Sequence, residues 1–326
     1  MGISCFKVIR GLEVVLVKIN NILVAGPFEE TFKKHQPHNI FQNFRFVPLE
    51  EVTSEDLEWA DAYVGFGPSS QFNLSQLKWV HSFNAGVNNY LEFDGWQENN
   101  VLLTRTICSF GQRISEYCLS YVLRDLQHQQ YFEERQQEKN WVQKTPIMLK
   151  DQTIVVFGTG EIGQEIARTF SQFGVAVYGV SLSGTPKEYF QEVKTVESAT
   201  TILSKADWVI STLPLTRETK RLFNSEVFCH LHNAAFINVG RGATVDEGAL
   251  IHALNGGKVQ KAILDVVAIE PLPQESPLWE REDVIITPHI SAITNIDEAV
   301  VCFFETLEKM EQDVYLPNKV NVGKGY

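Results

Sequence analysis

The chain has 326 residues, about twice the usual length of a domain, so two domains with separate cores are expected. Its 44% hydrophobic and 21% charged residues are typical of a globular protein rather than a disordered one. The formal net charge of -12 repels phosphate backbones and anionic lipid surfaces. We therefore expect no nucleic-acid partner and no membrane partner.

The five cysteines are widely spaced, odd in number and without a CxxC pair, which argues against a disulfide framework and a zinc site. We therefore expect no bound metal and a reducing, cytoplasmic location. Residues 1–20 contain an apolar run that charged residues interrupt, which indicates neither an export signal nor a membrane span. This stretch is interpreted as an N-terminal extension.

In chain order, short apolar runs first alternate with polar, helix-like stretches, which is typical of a small α/β layer. These predicted strands lie at 22–25, 44–47, 62–64, 79–83 and 101–103. Residues 115–139 are then predicted as one long helix with an apolar stripe in its first half.

A second series of strands begins at Thr153 and consists of nearly continuous apolar runs, as expected for parallel strands covered on both faces. Its further members are predicted at 175–180, 208–212, 234–239, 261–266 and 284–286. Helix-like segments separate most of them, and 296–311 is predicted as a final helix. The sequence thus predicts an α/β fold with a doubly wound parallel sheet of the Rossmann type.

The strongest motif is G-T-G-E-I-G at 158–163, which follows the strand from Thr153 and opens an amphipathic helix. The three glycines permit a tight turn, close approach of a pyrophosphate, and close packing of helix on strand. The helix N-terminus offers N–H groups to the anion. We predict a nicotinamide dinucleotide site whose phosphate-binding residues are Thr159, Gly160, Glu161 and Ile162.

The end of the next strand bears on cofactor choice. NAD enzymes usually place Asp or Glu there to bind the ribose hydroxyls, whereas this chain has V-S-L-S-G at 180–184. Without a carboxylate to repel it, a 2′-phosphate could be held by Ser181, Ser183 and Lys187. NADP is therefore favoured, with NAD as the alternative because no arginine accompanies the serines.

Three later segments, each at the end of a predicted strand, carry groups suited to reducing a 2-oxo acid. Arg241 is expected to bind the substrate carboxylate and polarise the carbonyl. His289 would give a proton to the carbonyl oxygen, while Glu270 fixes its tautomer. Asp265 is expected to hold the nicotinamide carboxamide. Each residue alone also suits an ordinary surface or turn position, so the prediction depends on their combination.

The order of motifs resembles that of the D-isomer-specific 2-hydroxyacid dehydrogenases. The dinucleotide motif is followed by L-P-L-T at 213–216, N-V-G-R-G at 238–242, D-V-V-A-I-E-P-L-P at 265–273 and T-P-H-I at 287–290. The resemblance implies an Arg/Glu/His catalytic set at Arg241, Glu270 and His289, and a homodimer. It also implies further cofactor contacts at Leu213, Pro214, Val239 and Gly240.

The same resemblance implies the domain layout. A smaller, flavodoxin-like α/β substrate domain would comprise 1–114 and 291–326, and the dinucleotide-binding domain 115–290. The glycine loop N-A-G-V at 84–87 would bind the substrate carboxylate through backbone amides of Ala85 and Gly86.

The predicted activity is reduction of a 2-oxo acid, such as glyoxylate or hydroxypyruvate, to the D-2-hydroxy acid. The serine at position 181 resembles the NADP-using glyoxylate and hydroxypyruvate reductase branch. The alternative is an NAD(P)-sensing, corepressor-like binding protein without turnover. Formate dehydrogenase is disfavoured by Glu270, because that branch has Gln at the corresponding place.

Overall fold

The computed structural model describes residues 18–325, which form two compact units. The first unit comprises the described residues up to Asn84, then Asn89–Thr106 and Ile296–Val320. The second comprises Ala85–Asn88, Ile107–Asn295 and the residues from Asn321 onward. Both units have helices packed on a parallel sheet, so the α/β fold class is confirmed. Their bounds differ by several residues from the predicted divisions at 114 and 290, and the roles given to the two domains stay a prediction.

The first unit is built on a five-stranded parallel sheet in the order β2-β1-β3-β4-β5, which is the flavodoxin-like order. Its strands are β1 (Asn21–Ala25), β2 (Asn43–Val47), β3 (Ala62–Gly65), β4 (Trp79–Ser82) and β5 (Leu102–Arg105). The helices of this part are α1 (Glu29–His35), α2 (Ser54–Trp59), α3 (Asn88–Leu91), which straddles the division, and α10 (Ile296–Glu311). The last has the predicted bounds.

Aromatic side chains dominate the core of this first unit. Phe32 on α1 makes edge contacts with Phe44, Phe46 and Phe304, with ring centroids 5.3 to 5.7 Å apart. Such pairs add roughly 0.5 to 1.5 kcal/mol each beyond the area they bury. Of the interpreted N-terminal extension, residues 1–17 lie outside the described residues, and Ile19 is buried in this core.

The second unit is built on a seven-stranded parallel sheet in the order β12-β11-β10-β9-β6-β7-β8. Its strands are β6 (Thr153–Phe157), β7 (Ala176–Val180), β8 (Val193–Lys194), β9 (Trp208–Ser211), β10 (Ala234–Asn238), β11 (Val259–Leu264) and β12 (Val284–Ile286). The order reverses beside β6, and open α/β sheets bind ligands outside the carboxyl ends of their strands at such a point. The Rossmann prediction is confirmed, although the two-residue edge strand β8 was not predicted.

The helices of the second unit correct one prediction. They are α4 (Phe110–Leu126), α5 (Gln129–Gln137), α6 (Glu161–Ser171), α7 (Thr200–Leu203), α8 (Ser225–Phe228) and α9 (Glu247–Asn255). The single helix predicted over 115–139 is therefore wrong, because His128 has a left-handed backbone (φ 54°) that ends one helix and begins another. The buried stripe also stops at Leu126, and α5 buries no residue. Across 18–325, no helix is long and apolar enough to cross a membrane.

Candidate active site

The glycine motif forms the turn between β6 and α6. Gly158 has φ +95°, a conformation that L side chains rarely adopt, so it permits the tight turn. A Cβ at Gly163 would lie 1.9 Å from the carbonyl oxygen of Gly158, so only glycine allows the helix to pack this closely. A Cβ at Gly160, in contrast, would meet nothing within 4 Å. The middle glycine therefore faces open space while the outer two are required by the fold.

This turn fits the phosphates of a dinucleotide. Helix α6 begins at Glu161, and no side chain caps its N-terminus. The N–H groups of a first helical turn have no intrahelical acceptor and carry the positive end of the helix dipole. Because Gly160 leaves the approach open, a pyrophosphate can reach these groups. Thr159 is buried beneath the turn, whereas Glu161 is exposed beside it.

The loop after β7 contains the two serines expected to hold a 2′-phosphate. The Ser181 hydroxyl accepts a hydrogen bond from the Gly184 amide at 3.2 Å, and Ser183 Oγ lies 2.8 Å from Thr185 Oγ1. The Ser181 amide donates to the carbonyl of Lys194 at 3.0 Å. This contact places the backbone of Lys194, on the unpredicted strand β8, beside the loop, while the Lys194 Nζ lies 2.5 Å from Glu192 Oε1.

Two further segments predicted to contact the cofactor lie against each other. A Cβ at Gly240 would lie 2.5 Å from the carbonyl oxygen of Leu213, so the turn after β10 passes directly over the start of the Leu213-Pro214 segment. Val239, between β10 and this turn, has its side chain buried in the core. A cofactor would therefore meet the backbone of Val239 rather than its side chain.

Arg241 is held by hydrogen bonds at both its backbone carbonyl and its side chain. Asn238, at the end of β10, and Thr244 both donate side-chain hydrogen bonds to the Arg241 carbonyl, at 3.2 and 2.6 Å. The Arg241 Nε donates to Asn88 Oδ1 at 3.1 Å. A Cβ at Gly86 would lie 1.6 Å from Arg241 Nη2, so this glycine lets the guanidinium approach the loop. The structure thus brings Arg241 together with the loop predicted to bind a substrate carboxylate.

Glu270 and His289 form a pair. The His289 Nδ1 lies 2.9 Å from Glu270 Oε2, and the second carboxylate oxygen accepts a hydrogen bond from the Val267 amide at 3.2 Å. The two side chains are 50% and 39% exposed, so the ring can be reached from solvent. With Nδ1 committed to the carboxylate, Nε2 is the nitrogen available for proton exchange.

Asp265 is 1% exposed and organises the turn that carries His289. Its two carboxylate oxygens accept hydrogen bonds from the amides of Ile290 and Ser291, at 2.8 and 3.0 Å. The Thr287 hydroxyl donates to it at 2.6 Å. The expected contact between Asp265 and a nicotinamide carboxamide stays a prediction. The hydrogen bonds that hold the His289 turn are a further role, which the sequence did not predict.

Sequence reasoning did not assign roles to Asn88, Asn238 or Tyr117, whose hydroxyl lies 2.6 Å from Thr287 Oγ1. Asn238 stands inside the N-V-G-R-G motif, and its position before the arginine was a usable signal. The other two lie far along the chain from their partners, so nothing local indicated the contacts.

A doubly wound sheet with a glycine turn at its switch point defines a dinucleotide-binding protein. The family model described as "D-isomer specific 2-hydroxyacid dehydrogenase, NAD binding domain" matches residues 119–291. Glyoxylate/hydroxypyruvate reductase A of Serratia proteamaculans (strain 568) is 36% identical over 228 residues, which cover 68% of this chain and 73% of the relative.

Two solved structures are also similar. A D-isomer specific 2-hydroxyacid dehydrogenase from Xanthobacter autotrophicus Py2, in complex with NADPH and MES, has a TM-score of 0.83 at 29% identity and covers 95% of this chain and 100% of its own. An NADPH-dependent glyoxylate/hydroxypyruvate reductase from Sinorhizobium meliloti, in complex with NADP and sulfate, has a TM-score of 0.82 at 26% identity. The match covers 94% of this chain and 100% of the reductase chain.

The chain belongs to the D-isomer specific 2-hydroxyacid dehydrogenase family. It is accordingly an NAD(P)-dependent oxidoreductase, and the predicted resemblance is confirmed.

Proposed function

We propose that this protein uses NADPH to reduce a small 2-oxo acid, either glyoxylate to glycolate or hydroxypyruvate to D-glycerate. The observation that carries the proposal is the Glu270–His289 pair, joined at 2.9 Å, in the same unit as Arg241 and the glycine turn. The relatives named glyoxylate/hydroxypyruvate reductase A support the choice of substrate.

The reaction needs a hydride, which a nicotinamide cofactor supplies when bound, and a proton, which the chain itself must supply. In the proposed mechanism Arg241 binds the substrate carboxylate through charge-assisted hydrogen bonds, each worth roughly 1.5 to 3 kcal/mol. His289 donates a proton from Nε2 to the carbonyl oxygen. Glu270 holds the Nδ1 side of the ring and so fixes the orientation of Nε2. In the reverse direction His289 accepts the proton.

The remaining site residues are proposed by position. Backbone amides at Ala85 and Gly86 bind the substrate carboxylate beside Arg241. The first turn of α6 would hold the pyrophosphate of the cofactor, and Asp265 is proposed to hold the nicotinamide carboxamide. Further cofactor contacts are proposed at Thr159, Gly160, Glu161, Ile162, Leu213, Pro214, Val239 and Gly240.

NADP is the proposed cofactor because the loop at 181–187 has no acid that would repel a 2′-phosphate. Ser181 and Ser183 offer hydroxyls and Lys187 offers positive charge. Lys194, whose Nζ lies 2.5 Å from Glu192 Oε1, would have to exchange that partner for the phosphate. The two similar structures that contain NADPH or NADP support this choice. Replacing Lys194 with Ala should raise the KM for NADPH more than that for NADH, which separates a phosphate contact from a general loss of stability.

The test is a steady-state comparison of NADPH with NADH, measured by loss of nicotinamide absorbance, with glyoxylate, hydroxypyruvate, phenylpyruvate and 2-oxoisocaproate. We expect the highest kcat/KM with NADPH and one of the two small substrates. Absence of turnover with every pair would contradict the proposal. Tight NADPH binding without turnover would instead support the alternative of a cofactor-sensing, corepressor-like protein.

We also propose that the protein acts as a homodimer. An exposed apolar segment supports this, since Trp141 is 96% exposed and is followed by exposed Val142, Ile147 and Met148. Large apolar side chains this exposed are typical of surfaces that bind another protein. Sedimentation velocity should give a mass near twice that of the 37.0 kDa chain. Trp141→Ser should shift the measured mass toward that of a single chain.

A reducing, cytoplasmic compartment is proposed from the cysteines. The five cysteines are widely spaced, odd in number and without a CxxC pair, and Cys118 and Cys229 are free thiols. Chains without a disulfide framework are usual where thiols are kept reduced.

A further inference from the structure

We infer that Tyr117 is a positioning residue for the proposed proton donor: through Thr287 and Asp265, its hydroxyl fixes the turn that carries His289. The inference rests on the proposed function, because it concerns how His289 is held for proton transfer. Tyr117 lies on helix α4, far along the chain from the turn it would control.

The turn that carries His289 is held by hydrogen bonds to a single residue, Asp265. Three successive amides, those of His289, Ile290 and Ser291, donate to the backbone carbonyl and the two side-chain oxygens of Asp265, at 2.9, 2.8 and 3.0 Å. His289 itself has φ 55°, in the left-handed region. A non-glycine residue in this conformation is strained, so the turn depends on these bonds for its shape.

The hydrogen bonds from the helix have a fixed direction. Thr287 has a single hydroxyl hydrogen, which it donates to Asp265 Oδ1 at 2.6 Å. In its 2.6 Å contact with Tyr117, Thr287 must therefore be the acceptor and Tyr117 the donor. Burial raises the pKa of Tyr117 well above its usual value, so the phenol keeps the proton that it donates. The result is a relay of donated hydrogen bonds from Tyr117 to Thr287 to the Asp265 carboxylate.

This relay links the turn to helix α4. Thr287 lies two residues before His289, so a displacement of Thr287 is expected to move the backbone of His289 as well. The Tyr117 ring also packs on Tyr121, with centroids 4.8 Å apart. Tyr117→Phe would keep that packing and remove only the hydroxyl. The substitution thus isolates the relay from the packing of the helix.

The kinetic arm of the test compares Tyr117→Phe with Tyr121→Phe, a control that removes the neighbouring hydroxyl of the same helix. We expect Tyr117→Phe to lower kcat about five- to tenfold, as for loss of one polarised hydrogen bond, with little change in the KM for cofactor. Tyr121→Phe should stay near wild type. Thr287→Val should lower kcat at least as much, and Thr287→Ser, which keeps the hydroxyl, should restore it.

A double-mutant cycle then tests the connection. Because Tyr117 acts through Thr287, adding Tyr117→Phe to Thr287→Val should cause no further loss. An equal loss in both backgrounds would overturn the inference. If Thr287→Val does not fold, the comparison between the two tyrosine variants decides alone.

The second arm needs no turnover and no cofactor. Histidine side-chain NMR of the cofactor-free protein, with His289 assigned by loss of its signals in His289→Gln, reports the bond between His289 and Glu270. We expect Tyr117→Phe and Thr287→Val to shift or broaden the His289 signals, and Tyr121→Phe to leave them unchanged. Unchanged His289 signals in Tyr117→Phe, or a lower melting temperature alone, would overturn the inference. A wild-type protein that turns over no substrate would contradict the proposed function, yet this arm would still test the positioning.

Discussion

The two units each carry a histidine beside a parallel sheet, and the two residues are arranged in opposite ways. In the first unit His81 lies on β4, 0% exposed, with Nδ1 2.8 Å from Thr104 Oγ1. Burial lowers its pKa to about 3. In the second unit His289 follows β12, is half exposed and bonds the Glu270 carboxylate.

The difference shows what a site requires beyond a residue type. His81 is surrounded by Trp79, Phe83 and Phe303, which stabilise only its neutral form. It serves as a packed core residue whose ring nitrogens are satisfied by threonines. His289 has one ring nitrogen accessible to solvent and the other bonded to a carboxylate, which is the arrangement that the proposed proton transfer requires.

The largest expected effect is that of His289→Gln. General acid catalysis contributes about 10² to 10⁴ in rate, so we expect kcat to fall on the order of 10³-fold while the affinity for NADPH changes little. Because the ring is half exposed, the melting temperature should stay within a few degrees of wild type. Steady-state kinetics and thermal unfolding measure both.

His232→Gln is the matched control, since His232 is also exposed. It precedes β10 and so lies at the amino end of a strand, whereas His289 follows the carboxyl end of β12. His232→Gln should leave both kcat and the melting temperature unchanged. A similar loss of kcat in the two variants would contradict the proposed role of His289 as the proton donor.

The second effect is on stability, through His81. Its folded pKa of about 3 lies below the ordinary value of 6.5, so the unfolded chain binds more protons between these pH values. The stability is fully present above pH ~6.5 and falls as the pH drops toward ~3, by up to roughly 4 kcal/mol. Urea unfolding measured from neutral to acid pH should show this slope.

His81→Asn cannot titrate, so its stability should be lower at neutral pH but depend less on pH in that window. His232→Gln should keep the wild-type slope. An unchanged slope in His81→Asn would mean that other groups cause the acid sensitivity.

A smaller effect should distinguish Gly160 from Gly163, because the first is expected to affect cofactor affinity and the second stability. Gly160→Ala places a methyl group in open space, so the fold should be retained while the Kd for NADPH rises about tenfold, or ~1.4 kcal/mol. Gly163→Ala drives a Cβ against the Gly158 carbonyl and should destabilise the protein by about 1 to 3 kcal/mol or more. Isothermal titration and thermal unfolding distinguish the two results, and equal losses of stability would contradict the assignment of Gly160.

The smallest effect is that of Asn88→Ala, which removes the acceptor of the Arg241 Nε hydrogen bond. We expect kcat/KM to fall about three- to tenfold, corresponding to roughly 1 kcal/mol. Asn88→Asp should be worse, mainly through KM, because a carboxylate there competes with the substrate carboxylate for Arg241. An Asp variant as active as wild type would exclude this role.

Most of the second unit could be predicted because its signals are local. Continuous apolar runs predict buried parallel strands. The glycine spacing predicts a tight turn at Gly158 and close packing of helix on strand at Gly163, and the structure shows both. The pairing of Glu270 with His289 was also predicted, since both follow strands whose carboxyl ends share one edge of the sheet.

The errors have physical causes. The break between α4 and α5 has no Gly or Pro to announce it, and His128 adopts the left-handed conformation within a polar stretch. The strand β8 is only two residues long and is defined by its pairing with β7. The contacts of Asn88 and Tyr117 span 153 and 170 residues of chain, so they exist only once the unit has folded.

The most direct test of the central claim is to incubate the protein with NADPH deuterated at C4 of the nicotinamide and with hydroxypyruvate, and to analyse the product by NMR and chiral chromatography. The proposed mechanism predicts D-glycerate that carries deuterium at C2, formed at a greatly reduced rate by His289→Gln. L-Glycerate, or a product without deuterium from either C4 position, would contradict it, as would no product from both hydroxypyruvate and glyoxylate.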